Sequence, residues 1–354
     1  MKVVEAPGPR FTHPMKAFHH PDEALHAPQF FLMRGQVRAN YEVPARAASL
    51  RAGLDALGVT PEVPPPAPRD ALLTLHTSDY LDFLEHAATE WAALPEAGPE
   101  IVANIHPTPE MLAQSNRKPV HIIARTGAHT ADTACPIGPG TWTASIGAAG
   151  CALAAADVAA EGGVAYALCR PPGHHAYAAR AGGHCYINNS ALAAQRLRDA
   201  GAKRVAVLDI DSHHGNGTQG IFWERDDVLT VSLHADPGRY YPWYVGFAEE
   251  KGAANLNLPQ PFGTGDEGWL AALADGIAAI RAFGADALVV PLGFDASEFE
   301  PLAALKVTAD GFARAGAAIG ALKLPTAICQ EGGYNVDILG SLLERFLTGF
   351  GDAA

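Results

Sequence analysis

Five uninterrupted apolar runs recur through the second half of the chain: "GVAYALC" (163–169), "RVAVLDI" (204–210), "DVLTVSL" (227–233), "ALVVPLG" (287–293) and "PTAICQE" (325–331). A strand with one wet face alternates apolar and polar side chains, whereas a strand covered on both faces does not. Between the runs lie "SALAAQRLRDAG" (190–201) and "EGWLAALADGIAAIRAFG" (267–284), which carry helical spacing and stop at glycine. This alternation predicts an α/β fold, an open parallel sheet flanked by helices on both faces. The 354 residues, 48% of them hydrophobic, are enough for one large core, and no repeat or linker divides them, so a single domain over 1–354 is expected. The N-terminal "MKVVEAPGPR" reads as a further strand. Residues 95–140, rich in Pro, Gly, Asn and His, show no firm periodicity, and a loop that long is usually functional or disordered.

In such sheets functional residues collect just beyond the carboxyl ends of the strands. Four of these strands end in unusual polar sequences, "CRPPGHH", "LDIDSHHGNG", "PLGFDASEFEP" and "CQEGGYN", which should converge on one crevice. Buried carboxylates without partners cost several kcal/mol or become neutral, so "DIDSHH" calls for a cation. Alternate residues of an extended chain point the same way, which puts Asp209, Asp211 and His213 on one side. Asp295, in "GFDAS", leaves another strand end. Two carboxylates and one imidazole with an open fourth position suit a catalytic zinc or iron ion. The plainer alternative is that these aspartates cap helices and bond loop amides. Neighbouring His174 and His175 are poorly placed to chelate one ion together and make better sense as bases beside it. Tyr334, on a glycine turn, can aim its hydroxyl at a developing oxyanion.

The formal charge of −13, from 25 basic and 38 acidic residues, disfavours nucleic-acid backbones and anionic membranes and suits a cationic partner. Five cysteines without CxxC spacing make neither a disulfide framework nor a thiolate zinc site. The first residues lack a signal-peptide core, and the most apolar helical stretch, 144–160, is mostly alanine and contains Asp157. A cytoplasmic location is expected.

In order and at fitting spacings, "RPPGHHA", "GGHCYINN", "LDIDSHHGNGTQ", "SLH", "PLGFD" and "EGGYN" resemble the motifs of the histone deacetylase superfamily. "RGQVRANYEVPARAASL" (34–50) and "GTWTA" (140–144) narrow the resemblance to its bacterial acetylpolyamine amidohydrolases. It covers nearly the whole chain and implies an arginase-like open sheet and zinc-dependent amide hydrolysis. By motif, Asp211, His213 and Asp295 resemble the zinc ligands. His175 resembles the general base that later protonates the leaving amine, and His174 its electrostatic partner. Asp209 sits where the family orients His174 and helps bind a structural potassium ion, with Ser232 and the carbonyls of Asp211, His213 and Leu233. Tyr334 resembles the group that polarises the scissile carbonyl.

Gly183, Tyr241, Leu302 and His184 fall at substrate-binding positions, His184 where the family usually has an aromatic tunnel wall. Asn216 stands where some relatives carry Asp, which is expected to leave His175 without a carboxylate partner and more readily neutral. The 95–140 segment resembles an insertion used to form a dimer and narrow the tunnel mouth. Asp132 fits an acidic rim position, and Glu110 is a second candidate. The resemblance thus implies a homodimeric zinc amidohydrolase acting on small cationic acetylated amines of the acetylputrescine, acetylcadaverine and acetylspermidine type. A deacylase of acetyl-lysine proteins or other acylated amines, and a catalytically silent acyl-group-binding protein, are the alternatives. A dimanganese enzyme of the arginase type would need more bridging aspartates than these motifs contain. The remaining histidines, among them His13, His19, His20, His26 and His106, are expected to be solvated.

Overall fold

The computed structural model describes residues 15–302 and 304–354; the "MKVVEAPGPR" segment and His13 lie outside the described residues. The strands are β1 (Lys16–His19), β2 (Phe30–Met33), β3 (Gln36–Ala39), β4 (Val164–Leu168), β5 (Val205–Asp209), β6 (Val228–Ala235), β7 (Asn255–Gln260), β8 (Ala287–Leu292) and β9 (Thr326–Gln330). Seven of them form one sheet in the order β1-β4-β9-β8-β5-β6-β7, parallel throughout, and β2 and β3 make a separate antiparallel hairpin. All five apolar runs are central strands, and β5, β6, β8 and β9 are buried from end to end. Because neighbouring strands run the same way, their carboxyl ends open on one edge.

The helices are α1 (Ala45–Ala56), α2 (Arg69–Leu72), α3 (Ser78–Ala92), α4 (Pro109–Ala113), α5 (Ile122–His129) and α6 (Thr141–Ala160) in the first half. They continue with α7 (Asn189–Asp199), α8 (Asn216–Phe222), α9 (Asp266–Phe283), α10 (Ala309–Gly320) and α11 (Leu339–Ala353). Strand side chains alternate between faces, and each face has its own helical cover. Leu208, Val231, Val290 and Ile328 pack with Leu50 and Leu54 of α1, Ile277 of α9, Phe312 of α10 and Phe346 of α11. Val207, Val289 and Ala327 point the other way, onto Ala152 and Ala155 of α6, Leu197 of α7 and Phe222 of α8. The apolar stretch 144–160 belongs to α6, 61% of whose most apolar window is buried inside the protein. Its composition serves close packing between the sheet and the outer layer formed by α3.

The region 95–140 is more ordered than its sequence suggests. It holds α4 and α5, started by side-chain caps from Thr108 to Met111 N–H and from His121 to Ile123 N–H, and Ile101 bridges to Ile137. Ile101, Ile122, Cys135 and Ile137 join a third apolar cluster with Tyr80, Phe83 and Tyr186. These contacts are distant in sequence, so no local period marks them.

Candidate active site

The four polar strand ends do meet. Beyond β5 the chain bends, and Asp211 and His213 turn toward Asp295, which follows β8; their ligand atoms lie within 4.8 Å of one another. His213 Nδ1 is 2.8 Å from Asp295 Oδ2 and 3.2 Å from Asp211 Oδ1, with its ring stacked on Tyr240 at a 4.4 Å centroid distance. Two buried carboxylates facing one imidazole nitrogen form a site for a proton or a metal cation. Burial works against a charge on His213, yet Asp295 and Asp211 push its pKa up to about 9. The backbone leaves room for this cluster by using glycine: a Cβ at Gly293 would overlap Asp211 Oδ2, and one at Gly332 would crowd both carboxylates. Gly332 N–H instead donates to Asp211 Oδ2 at 2.8 Å. This oxygen-rich, nitrogen-containing donor set fits zinc, which takes imidazole and carboxylate ligands together.

Asp209 does not join that cluster, although strand alternation suggested a shared side. β5 ends at Asp209, and the following bend breaks the period. Its Oδ2 accepts from His174 Nδ1 at 2.9 Å, and its Oδ1 accepts from Asp211 N–H at 3.1 Å. Burial opposes a proton on His174, but Asp209, Asp211 and Glu331 hold its pKa well above the ordinary value. Ser232 is the register partner of Asp209 on β6, and Leu233 beside it is wholly buried.

His175 behaves oppositely. Burial, followed by His174 and His213, holds its pKa well below the ordinary value. It is not unpaired: His175 Nδ1 lies 2.6 Å from Asn216 Oδ1, and Asn216 Nδ2 donates to the Tyr177 hydroxyl at 3.2 Å. An amide oxygen only accepts, so Nδ1 carries the ring proton and Nε2 keeps a lone pair. An Asn in place of Asp therefore fixes the tautomer without adding a charge.

These groups close the inner end of a cavity of about 1250 Å³ lined by His175, Gly183, His184, His213, Tyr241, Leu302, Tyr334 and Asp132. Gly183, at φ +51°, lies so close beneath His175 and Tyr241 that a Cβ would strike the His175 ring. Burial, then Asp295, keeps Tyr334 a phenol far above neutral pH. Its loop is held by Glu300, whose carboxylate accepts Tyr334 N–H at 2.9 Å and Asn335 N–H at 3.1 Å. Asp132 reaches the cavity but is already engaged: Oδ2 accepts from the Tyr241 hydroxyl at 2.6 Å and Gly183 N–H at 3.1 Å, and Oδ1 from Ala134 N–H at 2.8 Å. The cavity wall also carries Arg34, Arg180 and Arg239. Glu110 is exposed on α4 and does not line the cavity.

Behind the site lies a layer of buried charge, none of whose residues was among the expected site residues. Glu42 is fully buried, accepting from Arg46 Nη1 at 2.8 Å and Arg170 Nη2 at 3.1 Å, and Arg170 Nη1 also meets Glu23 at 2.7 Å. Burial alone would raise the Glu42 carboxyl, but Arg170 and Arg46 hold it down to about 2. Arg46 lies 5.1 Å from the Tyr334 ring centroid and donates to the Glu331 and Gly333 carbonyls, clamping the "EGGYN" turn. The clue was available: Glu42 and Arg46 are four residues apart where the chain enters α1, whose buried face is otherwise apolar. The expectation of solvated histidines is also corrected for three of them. His19, His20 and His26 are buried, and His26 is held by Thr141 at 3.0 Å and kept neutral by burial, its pKa near 4. His106 is partly covered, its Nδ1 bonded to the Thr130 carbonyl.

Comparison with known proteins agrees with this arrangement. Residues 40–350 match the histone deacetylase domain. The acetylpolyamine amidohydrolase of Burkholderia pseudomallei is 44% identical over 96% of this chain and 98% of its own length. That of Mycoplana ramosa is 40% identical over 90% and 94%. A crystal structure of the acetylpolyamine aminohydrolase from Burkholderia pseudomallei superposes with a TM-score of 0.91 at 43% identity, covering 96% of this chain and 99% of that one. The HDA15 HD domain gives 0.75 at 27% identity, covering 95% and 89%. The chain therefore belongs to the histone deacetylase superfamily of zinc-dependent amide hydrolases, within its acetylpolyamine amidohydrolase branch.

Proposed function

We propose that the protein removes acetyl groups from small acetylated polyamines, with Asp211, His213 and Asp295 holding one zinc ion. The observation that carries this reading is the convergence of those three ligands with a neutral His175, a charged His174 and a free phenol at the end of one cavity. Zinc bound there supplies Lewis acidity, which acidifies water and polarises the amide carbonyl. His175 Nε2 takes the proton from the attacking water and returns it to the leaving amine, while Asn216 keeps the ring in the tautomer that permits this. His174, held charged by Asp209, stabilises negative charge as it develops. Tyr334 donates to the same oxygen, a contact whose loss typically costs roughly 10²-fold or more in rate.

Asp209, Ser232, Leu233 and the carbonyls of Asp211 and His213 are our candidates for a structural potassium site, supported by the pairing of Asp209 with Ser232 across β5 and β6. Tyr241, Leu302, Gly183 and His184 hold the substrate stem, and Asp132 acts at the rim both directly and by anchoring Tyr241. Residues 95–140 form the dimer contact in this reading, supported by the exposed Ile105, Met111, Leu112 and Val120 on that segment. Five buried free thiols accord with a reducing, cytoplasmic setting.

One observation favours a second reading, hydrolysis of acetyl-lysine in peptides. The guanidinium groups of Arg34, Arg180 and Arg239 border the cavity and form no ion pair among the described residues. They suit peptide carbonyls or a carboxylate better than a distant ammonium. Turnover of acetylputrescine, acetylcadaverine, acetylspermidine and an acetyl-lysine peptide under one set of conditions decides between the two. Higher kcat/KM for the diamines supports the polyamine reading, and preference for the peptide overturns it.

A further inference from the structure

A buried polar group without a protein partner is costly unless something else satisfies it. His184 is such a group. It is only 8% exposed, yet neither ring nitrogen bonds to any described residue, and neither is sealed away from the cavity its ring lines. Its backbone is fixed, with φ at +66° and N–H donating to the Ala134 carbonyl, which sets where the side chain leaves the loop. Around it stand aromatic groups: Phe31 edge-on at 5.7 Å and Tyr334 at 6.1 Å between centroids, with Tyr241 on the same cavity wall.

We propose that His184 is a specificity residue whose unpaired imidazole nitrogen accepts a hydrogen bond from a substrate ammonium a few carbons from the scissile amide. This deepens the polyamine reading and rests on it. Burial holds the His184 pKa down to about 4, leaving a neutral ring with one acceptor nitrogen, and Glu42 and Asp132 outweigh Arg46 and His213 as its charged neighbours. Asp132 lines the same cavity, so a cation held at His184 has a carboxylate nearby. Phe31 and Tyr334 add aromatic surface beside the ring, against which the methylenes of the substrate can pack. The His184 and Tyr334 rings lie 6.1 Å apart between centroids, a span comparable to a few methylenes. Substrates of this class are monoacetylated short diamines, or longer polyamines whose first internal nitrogen lies close to the acetamide.

The test compares kcat/KM for acetylated diamines with spacers of three, four and five methylenes against neutral N-alkylacetamides of equal length. A hydrogen bond to a charged group is commonly equivalent to roughly tenfold or more in binding. His184→Phe is expected to lower the charged-to-neutral ratio about tenfold for the best spacer, chiefly through KM. His184→Gln keeps an acceptor and should preserve most of that ratio. An unchanged ratio in His184→Phe, or equal losses in both variants, overturns the proposal. Should His184→Phe fail to fold, ¹⁵N NMR of the wild-type His184 ring under titration with butane-1,4-diammonium decides: a shift of the acceptor nitrogen, absent with butan-1-ol, supports it, and no shift overturns it. Failure of wild-type protein to hydrolyse any acetylated amine, charged or neutral, counts against the polyamine reading, while the NMR titration still judges His184.

Discussion

Asn216→Leu removes one acceptor at nearly constant bulk and leaves His175 Nδ1–H, now 2.6 Å from that acceptor, buried without a partner. An unsatisfied buried donor costs about 1–3 kcal/mol. The ring escapes that cost by moving its proton to Nε2, which puts the lone pair on the wrong nitrogen for removing a proton from water. At about 1.4 kcal/mol per tenfold, the competent tautomer and kcat fall roughly 10- to 100-fold. Asn216→Asp makes the contrast. It keeps an acceptor, so the tautomer stays, but the new carboxylate favours the imidazolium and raises the His175 pKa. The base is then protonated over a wider range, and the acid limb of kcat/KM moves to higher pH. The assay is a pH–rate profile with acetylcadaverine for wild type and both variants, together with ¹⁵N NMR of the His175 ring. Asn216→Leu with kcat within about twofold of wild type and an unchanged Nδ1–H would mean that Asn216 does not set the His175 tautomer.

Tyr334→Phe should retain fold and metal while kcat drops about 10²-fold or more, and His175→Ala should be at least as damaging; a greater loss in His174→Ala would reverse the roles within the pair. Asp132→Asn should raise KM for diamines. If that rise persists unscreened in high salt, Asp132 acts through its bonds to Tyr241 and Gly183 rather than as a distant charge. His26, His76, His184 and His234 have pKa values lowered by burial to about 4. Between that value and the unfolded 6.5 the unfolded chain binds more protons, so their contribution is full above pH 6.5 and is lost as pH falls toward 4. Burial raises Glu300 and Glu331 to about 7, which works the other way over the same window, so the histidines are read by difference. His76→Gln and His234→Gln should each weaken the fall of Tm between pH 7 and 4.5, and an unchanged pH dependence contradicts the buried neutral histidine.

Much of this could be read from the residues, for a physical reason. "RVAVLDI" and "ALVVPLG" announce buried parallel strands because both their faces are covered, and the polar sequences that follow announce the crevice edge. Weaker strands escaped. β7, "NLNLPQ", is an edge strand of mostly intermediate burial, and β1 has four residues, so neither carries a long apolar run. What could not be read is pairing across distance. His26 meets Thr141 over 115 positions, and Arg46 reaches the "EGGYN" turn over 285, with no local period to mark either. The engagement of Asp132 by Tyr241 is of the same kind: the residue type suggested a charge at the rim, but only the folded chain reveals which partner has claimed it.

In the proposed reaction Asp211, His213 and Asp295 hold one zinc ion without which turnover stops. Elemental analysis of purified active enzyme, alongside Asp295→Ala prepared identically, tests it most directly. The wild-type chain should carry about one zinc and lose activity on chelation, regaining it with zinc, while the variant should have neither metal nor turnover. Active wild-type protein with no stoichiometric transition metal, or an Asp295→Ala variant that keeps both metal and rate, would contradict it.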